Sequence, residues 1–388
     1  MTLTQQFKNF FKSEKTGGFI LIFCTIISLL ISNTTIGNAY MQFWETDFQG
    51  HSITHWINDG LMTIFFLLIG LELEREIYAG ELSNFKKALF PAISAIGGVI
   101  VPASIYLIYN YGTDTQSGAG IPMATDIAFA IGILSLLGKA VPPQLKVYLT
   151  ALAVIDDLCA ILIIAFFYTD QLSFPDLFIS LGIFAILIVL NRFKVHNYLP
   201  YLIGGIFMWY FMLHSGVHAT ISGVMLAFAI PFGDGSEKTI SSRIEHKLHY
   251  PVAFIILPLF ALANTCIVFK YNWLSGLSSN IGTGIIAGLS VGKPIGIILF
   301  SSLAVFIGVT KIPNGLTWKH ILGVSLLAGI GFTMSIFITL LAFEDKATID
   351  SAKIAIIFAS TLSAIIGLMT LKFVLKTNNK STSLISKD

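Results

Sequence analysis

Two adjacent aspartates stand in the middle of a long apolar stretch, in TALAVIDDLCAI (residues 150–161). Lys146 is the only other charged residue in the surrounding run, residues 145–168. A charge at the centre of a membrane-spanning helix costs about 2.5–3.5 kcal/mol on insertion scales, and a short aspartate side chain cannot reach water from that depth. Asp156 and Asp157 are therefore candidates for an ion or proton pathway, the usual role of intramembrane carboxylates.

Two further ionisable residues are placed at a comparable depth. Asp126 follows Pro122 in GIPMATDIAFAIG, and Lys293 lies in LSVGKPIGIILF. At 1.5 Å per helical residue, Asp156 lies about 15 Å from Lys146, half of an apolar core about 30 Å thick. A purely structural ion pair does not explain these four residues, because three acids and one base do not neutralise one another. The desolvation of a buried ion pair also usually costs more free energy than the attraction between the charges recovers.

The composition indicates the class of protein that contains these residues. The chain has 388 residues, of which 55% are hydrophobic and 11% charged, and its mean hydropathy is +0.81. A soluble domain carries roughly 25% charged residues. The net charge of +2, without a basic face, argues against a nucleic-acid partner, and the three scattered cysteines argue against a disulfide framework or a zinc site. We predict an all-α polytopic membrane protein, with a single transmembrane transporter domain over residues 1–388 and a disordered tail at 376–388.

Apolar segments predict twelve transmembrane helices. They lie near residues 17–32, 57–77, 88–109, 119–137, 145–169, 177–193, 199–214, 217–230, 248–269, 281–308, 320–343 and 351–375. Of the 23 basic residues, nineteen fall on one side of the membrane. The opposite side has only Lys270, Lys346 and Lys353, and Lys293 lies within the membrane. By the positive-inside rule, both termini are predicted to be cytoplasmic.

Spans 4 and 11 contain helix breakers, Pro122 in the former and Gly329 and Gly331 in the latter. Spans 3–5 and 10–12 are seven spans apart, so the second triplet runs with opposite polarity. This pattern predicts an inverted-topology repeat whose middle helices are interrupted, as in secondary transporters with a site at mid-membrane. Close helix packing is an equal alternative for these two glycines, and the series Gly284, Gly288, Gly292 and Gly296 makes a small-residue packing face of that kind.

Several strings carry a resemblance to a known family: PMATDIAFAIG, ALAVIDDLCAI, HSGVHATISGVM, VGKPIGI and LLAGIGFTMSIF, with GLELERE and RIEHKLHYPVAF. The chain resembles the NhaA-type sodium/proton antiporters of bacterial inner membranes over nearly its whole length. Inverted repeats are known in that family, so the repeat argument agrees with the resemblance and does not add to it.

The resemblance implies an exchange site at Asp156 and Asp157, with Asp126 and Lys293 balancing the charges of the half-helix ends. Sodium prefers oxygen ligands, which the two carboxylates, the Thr125 hydroxyl and freed backbone carbonyls supply. A carboxylate away from water can hold a proton near neutral pH, so sodium and proton compete for the same oxygens. Whether Lys293, paired with Asp156, itself carries a proton is left open.

The resemblance also implies pH control at the cytoplasmic mouth. The predicted sensors there are Glu72, Arg75, Glu76, Glu245, His246 and His249, and the resemblance adds His218, at an outer turn, as a further predicted sensor. Histidine titrates in the relevant range and neighbouring acids can shift it. A solvated charged loop is the competing interpretation.

The predicted function is electrogenic, pH-regulated exchange of cytoplasmic Na+ or Li+ for external H+ in the inner membrane, serving sodium and pH homeostasis and salt tolerance. No enzyme activity and no cofactor are expected, and the partners are the transported ions, the lipid bilayer and a second copy of the chain, contacted through residues 40–53. Two proton sites for one sodium would make the exchange electrogenic, whereas a locked pair of Asp156 and Lys293 would leave it electroneutral. The alternatives are a sodium-coupled symporter and an intramembrane aspartyl protease in which Asp126 faces the aspartate pair.

Overall fold

The computed structural model describes residues 14–168, 172–233, 235–236, 239–269 and 273–385. Within these ranges the side chains of residues 14, 15, 81, 139, 273, 275 and 377–385 are left undescribed. The last helix continues to Ile385, so it covers most of the segment that we predicted to be a disordered tail; residues 386–388 lie outside the described ranges.

The protein is mostly helical. The α-helices in chain order are α1 Glu14–Ser32, α2 Gly37–Glu45, α3 Ile53–Tyr78, α4 Phe85–Asn110, α5 Ile127–Ser135, α6 Pro143–Phe167, α7 Phe174–Arg192, α8 Leu199–His214, α9 Ile221–Ala229, α10 Ile240–Asn264, α11 Trp273–Leu277, α12 Asn280–Phe306, α13 Trp318–Ala328, α14 Phe332–Ala342 and α15 Lys346–Ile385. A 3-10 helix, Gln116–Met123, precedes α5. Three of the long helices contain a π turn: Trp56–Leu61 in α3, Val252–Ile256 in α10 and Gly288–Gly292 in α12.

The described residues contain eight helices that are long and apolar enough to cross a membrane, or ten if each of two bent helix pairs counts as one span. The bent pairs are α1 with α2, at 115°, and α13 with α14, at 45°. The structure therefore supports a multi-pass membrane protein with fewer spans of full length than the twelve that we predicted. Two predicted segments correspond to shorter helices, the 16-residue α8 and the nine-residue α9.

A small β-hairpin lies in the polar segment between the first two predicted spans. Strands β1, Asp47–Phe48, and β2, His51–Ser52, pair antiparallel. Gln49 and Gly50 form the two-residue turn with φ values of 56° and 88°. Positive φ at both central positions is the backbone of a type I′ turn, which matches the twist of the two strands.

The chain divides into two compact units, each built from separate stretches of sequence. Unit 1 comprises residues 1–23, 84–160 and 269–388, and unit 2 comprises residues 24–83 and 161–268. The interrupted segments and the candidate site aspartates belong to unit 1. The predicted pH-sensing residues belong to unit 2.

Candidate ion-binding site

Both segments that the sequence predicts to be interrupted are interrupted in the structure, and the breaks lie side by side. The 3-10 helix ends at Met123 and α5 begins at Ile127, so that the three residues between them are not helical. The second break separates α13 from α14. The Asp126 N–H donates a 2.7 Å hydrogen bond to the Ile330 carbonyl, which joins the two breaks.

The glycines of the second break are required by close approach. Gly329 and Gly331 have φ values of −67° and −93°, which most residues can adopt. A Cβ at Gly329 would lie 2.5 Å from the Leu289 carbonyl oxygen, and one at Gly331 would lie 2.1 Å from the Ser335 hydroxyl. Both alternatives posed by the sequence therefore hold together, because the chain is interrupted here and is also packed too closely for a side chain.

Asp126 lies where two half-helices begin. Its Oδ1 accepts a hydrogen bond from the Phe129 N–H in the first turn of α5, at 2.9 Å. Its Oδ2 accepts from both the N–H and the hydroxyl of Thr333 in the first turn of α14, at 3.0 Å and 2.5 Å. A carboxylate at a helix N-terminus satisfies unpaired N–H groups and complements the positive end of the helix dipole. Asp126 does this for two helices at once.

Lys293 lies at the opposite kind of helix end. Its ammonium donates to the Met123 carbonyl, at the end of the 3-10 helix, and forms a salt bridge to Asp156 Oδ2 at 2.9 Å. A cation near the last carbonyls of a helix complements the negative end of the dipole. Asp126 and Lys293 therefore occupy the positions that charge compensation of the broken helices requires.

Asp156 is the centre of this network, near the middle of the 25-residue α6. Its Oδ2 accepts a 2.7 Å hydrogen bond from the Thr125 hydroxyl, which also lies 2.9 Å from the Ala328 carbonyl oxygen at the end of α13. Its Oδ1 is buried and has no hydrogen-bond partner among the described residues. An oxygen of that kind is an available ligand for a cation or a proton.

Asp157 is completely buried in the same helix. Adjacent residues of a helix point about 100° apart, so the two carboxylates leave α6 in different directions. The four ionisable residues, Asp126, Asp156, Asp157 and Lys293, are all at most 2% exposed. The structure thus brings together every residue that the sequence proposed for ion binding and charge compensation, whereas their roles in transport stay predictions.

Unit 2 holds a second ionisable group, at the end of α3 and the start of α10. Arg75 donates a 2.5 Å hydrogen bond to Glu245 and lies 3.8 Å from Glu76. His249 lies 4.0 Å from Glu72. Five of the seven predicted pH-sensing residues are therefore neighbours, as their sequence positions suggested.

The other two predicted sensors are placed differently. His246 is exposed, and its side chain forms no hydrogen bond or salt bridge with the residues that the structure describes. His218 lies near Asp59, which forms a 3.1 Å salt bridge with His55. Asp59 precedes Glu72 by thirteen residues of α3, about 20 Å along the helix. His218 therefore does not belong to the group around Arg75.

One buried acidic residue of α3 was missed by the sequence analysis. Glu74 is buried and accepts a 3.3 Å hydrogen bond from the Ser241 hydroxyl. The string GLELERE shows the signal, since it places a third glutamate between Glu72 and Glu76. Thr333 and the Met123 carbonyl were also missed, because only the fold brings them to Asp126 and Lys293.

A helical multi-pass membrane protein whose two broken segments meet beside buried carboxylates has the architecture of a secondary transporter. Comparison with known proteins narrows this class. The family described as Na+/H+ antiporter 1 matches residues 8–371, and the chain belongs to this family.

Individual relatives agree with the family match. The chain is 62% identical over 381 residues to the Na(+)/H(+) antiporter NhaA 1 of Flavobacterium johnsoniae, covering 98% of this chain and 100% of the relative. It is 61% identical over 376 residues to the Na(+)/H(+) antiporter NhaA of Cytophaga hutchinsonii, covering 97% of each. Among solved structures, the sodium proton antiporter MjNhaP1 of Methanocaldococcus jannaschii at pH 8 superposes with a TM-score of 0.53 at 16% identity, over 95% of this chain and 100% of that one. The last comparison shows a shared fold.

Proposed function

We propose that the protein exchanges Na+ for H+ across a membrane, with Asp156 and Asp157 as the exchange site. The observation that carries this proposal is the Asp156 carboxylate, which has one oxygen bound to Thr125 and Lys293 and a second buried oxygen without a hydrogen-bond partner in the described chain. A hard cation prefers carboxylate, hydroxyl and carbonyl oxygens, and these are the groups gathered around it.

Competition for these oxygens gives the coupling. A carboxylate removed from water takes up a proton more readily than one in water, and it releases that proton when a cation binds in its place. Asp156 and Asp157 therefore hold either protons or a sodium ion. If the site changes its exposure only when it is filled, one ion must be exchanged for the other.

Lys293 provides the second charge of the cycle. Its salt bridge to Asp156 competes with a cation that binds the same carboxylate, so sodium binding weakens the pair and allows Lys293 to release a proton. Asp157 and the pair of Asp156 with Lys293 then release two protons for one sodium. We propose that exchange is electrogenic for this reason, with the membrane potential contributing about 2.3 kcal/mol per elementary charge per 100 mV.

The finer architecture is proposed on the same basis. The ten spans counted with the bent pairs, together with the shorter apolar helices α8 and α9, make up the twelve spans of a single transporter domain. Two triplets of spans with interrupted middle members support the inverted repeat. The distribution of lysine and arginine supports cytoplasmic termini in the bacterial inner membrane.

Further partners and regulation belong to the same proposal. Li+ is a substrate as well as Na+, because it is also a hard cation. The hairpin and its flanks, residues 40–53, form a contact between two copies of the chain. The ionisable group around Arg75 adjusts the pH at which exchange begins, which would make the protein a contributor to pH homeostasis and salt tolerance.

The alternative functions fit the site less well. An aspartyl protease needs two carboxylates that face one another across a water molecule, but both oxygens of Asp126 are bound by the first turns of α5 and α14. A sodium-coupled symporter needs a cavity for an organic substrate beside the ion. One described cavity, about 740 Å³, lies in unit 2 and has a mostly apolar lining that includes Trp56 and Trp209, with Thr63 and Ser222 as its hydroxyl residues, so it is poorly suited to a polar organic solute.

The exchange activity is tested with a pH-sensitive dye in everted membrane vesicles. After respiration has acidified the lumen, added Na+ or Li+ should restore the dye signal, because protons leave as the cation enters. A response that requires an organic solute would indicate symport, and no response to either cation in vesicles that contain the protein would refute the exchange proposal.

Electrogenic exchange is tested separately in proteoliposomes. A potassium-diffusion potential is imposed at zero pH gradient and sodium flux is followed. The two-proton cycle predicts that flux changes with the sign of the potential. Flux that is indifferent to the potential would refute that cycle and leave Lys293 as a structural partner of Asp156.

A further inference from the structure

The helix that carries Lys293 is irregular immediately before it. The π turn Gly288–Gly292 lies within α12, and the Lys293 N–H donates to the Gly288 carbonyl, five residues back. A π turn takes up one residue more than an α turn, so the residues that follow it are rotated by about 100° relative to a continuous α-helix. The direction in which Lys293 leaves the helix therefore depends on this turn.

The sequence contains a reason for the π turn. Pro294 follows Lys293, and a proline inside an α-helix clashes with the carbonyl four residues earlier, here that of Ser290. Proline also has no N–H to donate. Widening the preceding turn relieves the clash. In the widened turn, the Leu289 carbonyl oxygen faces the break between α13 and α14 and lies 2.5 Å from the position of a Cβ on Gly329.

The contacts of the four spaced glycines show what the turn achieves. Each glycine faces α4 so closely that an added Cβ would lie near that helix: Gly284 at 3.0 Å from Tyr106, Gly288 at 3.2 Å and Gly292 at 3.0 Å from Pro102, and Gly296 at 2.1 Å from Gly97. In a continuous α-helix, twelve residues at about 100° each would rotate the last glycine about 120° away from the first. The extra residue of the π turn reduces this rotation to about 20°.

The rotation that the π turn gives to α12 also determines where the Lys293 side chain points. Its side chain passes Gly98 of α4, with Cε 3.8 Å from the position of a Cβ there, and its ammonium reaches Asp156 and the Met123 carbonyl. Gly288, where the turn begins, packs against Pro122, next to Met123, and the half of α12 after the turn packs against Gly97. Without the turn, these two packed faces cannot both be kept while Lys293 points at Asp156.

We propose that the π turn Gly288–Gly292 is a positioning element that sets the rotation of α12 so that the Lys293 ammonium reaches Asp156. The proposal deepens the exchange mechanism and rests on it for its transport consequence. The pairing of Lys293 with Asp156, however, can be measured without transport.

The test is insertion of one alanine after Val291, which rotates the following part of α12 by about 100°. Deletion of Val291, by contrast, replaces the π turn by an α turn and keeps the rotation of that part. The Val291 side chain is 51% exposed, so the deletion removes little packing, and Val291→Ala is the matched control of unchanged length. The coupling between Asp156 and Lys293 is read from the melting temperatures of a double-mutant cycle, Asp156→Asn and Lys293→Met alone and together, in each background.

We expect the two substitutions to be strongly non-additive in the native, Val291→Ala and deletion backgrounds and additive in the insertion background. Exchange in proteoliposomes should fall at least about tenfold on insertion and stay within about twofold in Val291→Ala, because small displacements of a reacting group are costly. Coupling that survives the insertion, or that is lost in a folded deletion variant, would overturn the proposal. Absence of exchange in the native protein would refute the proposed function and leave the coupling result valid.

A second variant covers the case in which the chain with the inserted alanine does not fold. Lys293→Ala with Pro294→Lys keeps the chain length but moves the lysine by one residue, about 100° around the helix. The positioning proposal predicts that this lysine is not coupled to Asp156 in the same melting analysis. Coupling equal to that of the native lysine would show that the rotation of α12 does not position Lys293, which would contradict the proposal.

Discussion

The two compact units carry ionisable side chains in contrasting ways. In unit 1, three acids and one base are at most 2% exposed and lie beside interrupted or irregular helices, where half-helix ends and hydroxyl groups bind Asp126, Asp156 and Lys293. In unit 2, the group around Arg75 is partly exposed: the side chain of Arg75 is 43% exposed and that of His249 57%. Charges without access to water depend on specific partners, whereas charges near water are screened. The contrast teaches that similar residue types can be held without access to water in one unit and left partly exposed in the other, which is the basis for assigning them different proposed roles.

The largest expected effect comes from the aspartate pair in unit 1. Asp157→Asn and Asp156→Asn should each reduce exchange to background in proteoliposomes, because an amide keeps the shape but cannot take up either competing charge. The measurement is sodium-driven proton movement at equal amounts of inserted protein. Asp114→Asn is the matched control, since Asp114 is an exposed aspartate of the same unit. Normal exchange by Asp157→Asn would contradict the assignment of the exchange site to the buried carboxylates of unit 1.

A smaller effect is expected at Thr125, whose hydroxyl donates to Asp156. A hydrogen bond to a charged group is worth about 1.5–3 kcal/mol, so Thr125→Val should weaken the apparent sodium affinity by about 10- to 100-fold. Thr125→Ser keeps the hydroxyl and is the matched control. Sodium dependence of the exchange rate measures the affinity, and an unchanged half-saturating concentration in Thr125→Val would remove this residue from the site.

A change of charge in unit 2 tests whether the group around Arg75 has a regulatory role. Glu245→Gln removes the partner of Arg75 and should move the pH profile of exchange by about half to one unit, since one unit corresponds to about 1.4 kcal/mol of charge interaction. The maximal rate should stay near its native value. Glu344→Gln, at an exposed position of unit 1, should leave the profile in place. A reduced maximal rate with an unshifted profile would contradict a regulatory role.

The smallest effect is expected at an exposed carboxylate. Asp345 precedes α15, and hydrogen bonds from the hydroxyl and N–H of Thr348 hold the pKa of Asp345 below its ordinary value. Because the folded pKa is depressed, the stabilisation is complete above about pH 4 and is lost as the pH falls through the depressed value. Asp345→Ala should slightly lower the melting temperature at neutral pH, with the difference vanishing in acid and exchange unaffected. Loss of exchange would show that burial is not what distinguishes the site carboxylates.

Much of the site could be predicted from the sequence, because charges in an apolar run have few explanations. The free-energy cost of placing a charge in an apolar segment was enough to single out Asp126, Asp156, Asp157 and Lys293. The helix breaks were marked by Pro122 and by the two glycines. The partners could not be predicted, since Thr333 meets Asp126 across 207 positions of the chain. The π turn before Lys293 was also hidden, because helix periodicity is too coarse to show one extra residue.

The most direct test of the central claim is sodium binding by the purified protein at several pH values. If sodium and proton compete for Asp156 and Asp157, adding Na+ in weak buffer releases protons, and the apparent sodium affinity falls as the pH is lowered. Below the pKa of the site, the affinity should change about tenfold per pH unit for each proton released, so the proposed release of two protons predicts up to about a hundredfold. Asp157→Asn should release no protons. Sodium affinity that is independent of pH, or proton release that persists in Asp157→Asn, would contradict the account.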